Sequence, residues 1–135
     1  MNRRRAMALS KNRDQRLEEL IAQHDFGRLL EIKLQNMFPN LESRAGVIRI
    51  LSSYDDERPE APRVRLAVLK LSGADLAEIQ EKVESAIEDY EDAIGWAESP
   101  HQMKCSMQNR KLRNTDREQL VAEDRGEFQN WLRQQ

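Results

Sequence analysis

Between Leu76 and Ala97 apolar side chains recur at spacings of three and four residues: Leu76, Ile79, Val83, Ala86, Ile87, Tyr90, Ala93, Ile94 and Ala97. A strand would need alternation, so a period near 3.6 sustained over about six turns admits only an amphipathic helix with one buried stripe. Ser72-Gly73-Ala74-Asp75 supplies a start, with Gly73 free to take positive φ and Ser72-x-x-Asp75 approximating a capping box, and Pro100 supplies a stop. The expectation is one long helix over residues 73–98, roughly 36 Å at about 1.5 Å per residue.

Such a helix must bury its stripe against others, and most of the chain carries the same period. Residues 14–23 place Leu17, Leu20 and Ile21 together, and residues 26–38 continue with Phe26, Leu29, Leu30, Leu34, Met37 and Phe38. A break at His24-Asp25 separates the two, with Asp25 as cap of the second. Asn40 is placed to cap a third helix over residues 41–53 that buries Leu41, Ala45, Ile48 and Leu51. Residues 54–62, with two prolines and a run of acids, read as an exposed connector. Val64 to Leu71 is apolar almost all round and reads as the central helix. Residues 47–51 and 64–70 admit a short strand pair instead, but two strands alone are marginal, which favours helices. Residues 99–114 are polar, basic and nearly aperiodic, a mobile loop with at most one helical turn. Thr115-x-x-Glu118 then opens a terminal helix carrying Leu120, Val121, Phe128, Trp131 and Leu132, weakened by Gly126.

The fold expected is therefore all-α: a single-domain bundle of five or six helices over residues 14–135, preceded by a flexible basic arm, residues 1–13. Its core should contain Leu30, Leu34, Ile48, Leu51, Leu66, Val68, Leu69, Ile79, Val83 and Ile87. A chain of 135 residues buries about two-thirds of its extended surface, enough for one modest core without cross-links. A lone cysteine, Cys105, fits a reducing, cytoplasmic setting. No apolar run approaches the roughly 18 residues of a membrane span, and the basic start Met1-Asn2-Arg3-Arg4-Arg5 leads into no apolar stretch of signal-peptide length.

The formal net charge of -2 conceals blocks. Residues 1–16 carry +5, residues 73–99 carry -8 and residues 100–114 carry +4. Either the basic segments cover the acidic helix, or a basic partner does. The function expected is a non-enzymatic protein–protein interaction module whose acidic helix meets a basic protein surface. Glu81, Glu84, Glu88 and Glu91 would supply charge, and Tyr90 and Trp96 contact area. The alternative is a nucleic-acid-associated protein that contacts phosphates through Arg3, Arg4 and Arg5 and through Lys104, Arg110, Lys111 and Arg113. Neither basic segment holds an aromatic residue for base stacking, and the sequence pI is about 5.8.

Catalytic and metal motifs are sparse. No glycine-rich phosphate loop or dinucleotide turn occurs, and no cofactor is expected. His101, Met103, Cys105 and Met107 alternate with polar residues, so an extended segment would turn all four to one side as a soft donor set suited to Cu(I). On a helical turn His101 would instead stand near Cys105 as a base for its thiol, but nothing in the sequence orients that histidine. The acid clusters Asp55-Asp56-Glu57 and Asp89, Glu91, Asp92 read as solvated faces rather than acid–base pairs.

Overall fold

The computed structural model describes the backbone of residues 2–108 and 111–134, and the side chains within those ranges from Arg13 onward. Among the described residues there are eight helices and no strand: α1 (Asn2–Gln23), α2 (Phe26–Met37), α3 (Leu41–Leu51), α4 (Ala61–Ser72), α5 (Leu76–Glu88), α6 (Tyr90–Glu98), α7 (Pro100–Met107) and α8 (Asn114–Arg133). The all-α expectation holds, and residues 47–51 and 64–70 are helical. The expected five or six helices become eight. No helix among the described residues is long and apolar enough to cross a membrane.

One of the differences has a clear local cause. The expected continuous helix over 73–98 divides at Asp89, whose backbone is extended (φ -151, ψ 91) and whose carboxylate accepts the Asp92 N–H to cap α6. One non-helical residue at this point leaves the buried stripe in phase, with Ile79, Val83 and Ala86 on α5 and Ala93 and Ala97 on α6. The apolar spacing therefore gives no hint of the break. The segment expected as a mobile loop contains α7. The third difference is that α1 reaches back to Asn2, through the stretch expected to be a flexible arm.

α4 lies at the centre and packs against α2, α5 and α6. Its Ala61, Val64, Leu66, Ala67, Val68 and Leu69 are all buried, as its near-continuous apolar run requires. α3 rests on α5, and α7 packs beside α8. Of the expected core, Leu30, Leu34, Leu51, Leu66, Val68, Leu69, Ile79 and Val83 are buried, but Ile48 and Ile87 are 44% and 55% exposed. Each follows directly after a buried residue, Val47 and Ala86, and a step of about 100° carries it off the packed face. The connector is less exposed than expected: Tyr54 is buried, and its hydroxyl donates to Glu60 Oε1 at 3.0 Å.

Helix ends use local caps where the sequence provides them. Asp25 and Asn40 accept the Arg28 and Ser43 N–H groups. Asp75 is itself the N-cap of α5, accepting from Ala77 and Glu78, while Ser72 donates to the Val68 carbonyl instead of forming the expected box. Gly73 follows α4 at φ 64, the left-handed position that glycine fills without strain. At α8 the cap falls on Arg113, with no side-chain bond, so the Thr115 box does not form.

Other ends are satisfied from a distance. Arg65 on α4 donates to the carbonyls of Leu51 and Tyr54 at the end of α3. Lys33 on α2 is buried, donates to the carbonyls of Trp131 and Gln134 at the end of α8, and lies 4.3 Å from the centre of the Trp131 ring. These cations meet the negative end of each helix dipole as well as its free carbonyls.

Candidate functional site

The richest convergence of polar groups lies where α6 gives way to α7. Pro100 has no N–H to continue the ladder of α6. The next two amides leave it as well: His101 N–H donates to Asp124 Oδ1 at 3.1 Å and Gln102 N–H to Asp124 Oδ2 at 3.1 Å. The Gln102 side-chain amide adds a third bond to Oδ2 at 3.0 Å. The Ala97 carbonyl, which an unbroken helix would pair with His101, accepts instead from Lys70 Nζ at 2.6 Å. An α8 carboxylate thus caps α7 from outside, and an α4 ammonium caps α6.

Asp124 is 1% exposed. An isolated buried carboxylate is costly, but three donors and the positive end of α7 offset that cost. Its sequence signal was available: Val121, Asp124, Phe128 and Trp131 follow the three-and-four spacing of the apolar face of α8, with an acid at a core position. The sequence reading missed both it and Lys33, which occupies a similar place on the stripe of α2.

The His101 ring stands between two carboxylates. Its Nδ1 is 3.4 Å from Asp124 Oδ1, and its Nε2 is 3.4 Å from Glu127 Oε1. Nδ1 is buried and makes no hydrogen bond within the described structure. Glu127 is half-exposed. On the other side of Asp124 a cleft of about 350 Å³ opens between α1, α2, α6 and α8, bordered by Phe26, Leu29, Glu98, Gln102 and Phe128. Its Glu98 is already held by a two-pronged bond from Arg63, whose charge is stabilised by that contact.

The soft donor set does not assemble. On a helix, residues two apart point about 200° away from each other, so α7 divides the four into pairs. His101 faces Asp124 and Glu127, and Met103 lies against Gly95 of α6 so closely that a Cβ there would stand 2.8 Å from its sulfur. Met107 is exposed. Cys105 borders a separate hollow with Lys111 and Arg117. His101 and Cys105 share a face of α7, but both ring nitrogens stand against the α8 carboxylates.

The acidic face is present, divided between α5 and α6. Glu81, Glu84, Glu88 and Glu91 are exposed, Tyr90 and Trp96 are half-buried, and Tyr90 packs partly against the core. The Glu91 carboxylate beside the Tyr90 phenol pushes its pKa up, as expected in a negative surrounding. Among the described residues no ion pair reaches Glu78, Glu81, Glu84, Glu88, Glu91 or Asp92. Among the described residues, Glu98 is the one acid of residues 73–99 in an ion pair. Exposed aliphatic side chains stand on α5 and on α3, which packs against it: Leu76 and Ile87 on α5, Leu41 and Ile48 on α3. Leu76 and Ile87 are eleven residues apart and Leu41 and Ile48 seven, so each pair falls within about 20° on its helix.

Lys104 is exposed on α7, and Lys111 and Arg113 are exposed between α7 and α8. Arg110 and the side chains of Arg3, Arg4 and Arg5 lie outside the described residues. Comparison with family models, characterised proteins and solved structures finds no match to this chain.

Proposed function

We propose that the chain is a non-enzymatic interaction module whose α3–α5 pair, with the start of α6, receives a basic amphipathic helix of a partner protein. The observation that carries this reading is the set of acids on α5 and α6 without cationic partners among the described residues, flanked by exposed Leu76, Ile87, Leu41 and Ile48. Aliphatic side chains would fill the apolar contact of such a helix, and the carboxylates would meet its lysines and arginines at the rim. Opposed charge of this kind accelerates encounter and fixes orientation, while the apolar contact slows release.

The direct test uses a labelled helical peptide with lysines on one face and leucines at three-and-four spacing. Binding should weaken steeply with salt, since exposed charges are screened over about 8 Å at physiological ionic strength. The triple reversal Glu81→Lys, Glu84→Lys, Glu88→Lys should weaken it by about tenfold to a hundredfold, at roughly 0.5–1 kcal/mol for each reversed charge. Binding that ignores both salt and the reversal rejects the reading. A mobility shift with RNA or DNA that the triple reversal leaves intact or strengthens would favour the basic segments as the functional surface instead.

A further inference from the structure

We propose that His101 Nε2 and Glu127 Oε1 coordinate a divalent cation of the zinc type, with the buried Asp124 carboxylate holding the ring from behind and water completing the sphere. The candidate ligand atoms of the three residues lie within 4.8 Å of one another. Asp124 is immobile, fixed by the backbone amides of His101 and Gln102 and by the Gln102 side chain. Three of its four lone-pair positions are taken, and the free one belongs to Oδ1, the oxygen that faces Nδ1. A carboxylate can only accept, so the tautomer that suits this side of the ring carries its proton on Nδ1, although the 3.4 Å contact is not itself a hydrogen bond. The Nε2 lone pair is then directed toward Glu127, another acceptor, at 3.4 Å.

Two acceptors facing each other at that distance can be bridged by a cation. Ligand bonds of about 2.0–2.1 Å meeting at a tetrahedral angle put neighbouring donor atoms about 3.3–3.4 Å apart, the separation found here. A buried carboxylate behind a ligating imidazole is also the usual arrangement that sets the ring's tautomer and raises its basicity. One imidazole with one carboxylate suits zinc and its first-row neighbours and disfavours magnesium or calcium, which take oxygen. A cation at this point would tie the first turn of α7 to α8, independently of the acidic face.

Calorimetric titration of the full chain with Zn²⁺ in metal-free buffer tests this, with Co²⁺ as a spectroscopic substitute. One Zn²⁺ should bind per chain, and Mg²⁺ should not compete. Glu127→Gln and His101→Gln should each weaken binding by about tenfold or more, while His24→Gln and Cys105→Ser leave it unchanged. The Co²⁺ form should show no sulfur charge-transfer band. Glu127 is half-exposed, so its variant keeps the fold and decides the matter even if His101→Gln does not fold. Absence of saturable Zn²⁺ binding overturns the proposal. Binding that survives Glu127→Gln, or that disappears with Cys105→Ser, overturns it equally.

Discussion

Replacing Asp124 with asparagine tests the claim that one α8 carboxylate builds the start of α7. The carboxylate accepts from the amides of His101 and Gln102 and from the Gln102 side chain, all at 3.0–3.1 Å. Asparagine offers one oxygen. In its better orientation it keeps the two Gln102 bonds at neutral strength and turns an NH₂ group toward the His101 amide. Hydrogen bonds to a charged group contribute about 1.5–3 kcal/mol, and an unpaired buried donor costs about 1–3 kcal/mol. Loss of the anion at the helix N-terminus removes a further 0.3–1 kcal/mol or so. Removing a buried charge returns part of this, because its desolvation is no longer required. The expected loss is about 2–4 kcal/mol, or a fall in Tm of about 7–14 °C for a chain of this length. Urea denaturation followed by circular dichroism measures the first quantity. Amide exchange at His101 and Gln102 should accelerate more than exchange in α4, and the exposed Glu127→Gln should remain within about 0.5 kcal/mol of the parent. A stability within about 0.5 kcal/mol of the parent for Asp124→Asn, or unchanged exchange at those two amides, would refute the capping argument.

Val83→Asp should unfold the chain or cost about 3–5 kcal/mol, because Val83 is buried on α5 and the new carboxylate has no partner there; native-like melting of the variant would contradict the packing. Leu69→Ala should cost about 2–5 kcal/mol whereas Ile87→Ala costs less than about 1 kcal/mol, an ordering that urea midpoints can check. Lys33→Met should lose about 1–3 kcal/mol by leaving the Trp131 and Gln134 carbonyls without a donor, although burial disfavours its charged form and lowers its pKa; a more stable variant would show that the desolvation penalty outweighs the cap. The Arg133 guanidinium, hydrogen-bonded to Glu18, holds that carboxyl below its ordinary 4.5, so its stabilisation is complete above that value and is lost as pH falls through the folded-state value. Glu18→Gln should therefore show a slightly flatter acid limb in pH-dependent melting, by no more than a surface pair contributes.

The elements that the sequence predicted well are those in which one residue type has one dominant use. Asp25 and Asn40 cap α2 and α3 as their positions imply, Gly73 ends α4 at positive φ, and the apolar residues of α4 from Val64 to Leu69 are buried. Periodicity could not show the break at Asp89, because a single extended residue between α5 and α6 preserves the phase of the stripe. It also could not show α7. The amides that start this helix are satisfied by a residue more than twenty positions away, and no local pattern encodes that. The same reason conceals the site. His101 was visible as one member of an alternating soft set, which is a property of extended chain, but on a helix its neighbours become Asp124 and Glu127 of α8. Asp124 and Lys33 were legible in one sense only, as charged residues at positions where the spacing requires apolar ones.

The charge layout and the helix ends have a common explanation. Dividing a chain of this length into eight helices, six of them of 13 residues or fewer, exposes many terminal N–H and C=O groups, up to four at each end. The buried ends need donors or acceptors that water cannot supply. Arg65, Lys70 and Lys33 are used in this way at the ends of α3, α6 and α8, and Arg63 is bound to Glu98. The basic stretch of α4, which packs directly against α5 and α6, therefore has no cation left for the exposed glutamates of those helices. Self-neutralisation was the plainer account of the blocked charge, but it requires the neighbouring arginines and lysines to face the acids. In the structure Arg65 and Lys70 donate to carbonyl oxygens, and Arg63 pairs with Glu98 alone among the acids of residues 73–99. The negative potential over α5 and the start of α6 follows from the way this bundle closes its helix ends, and a basic partner can use it without first breaking an internal ion pair among the described residues.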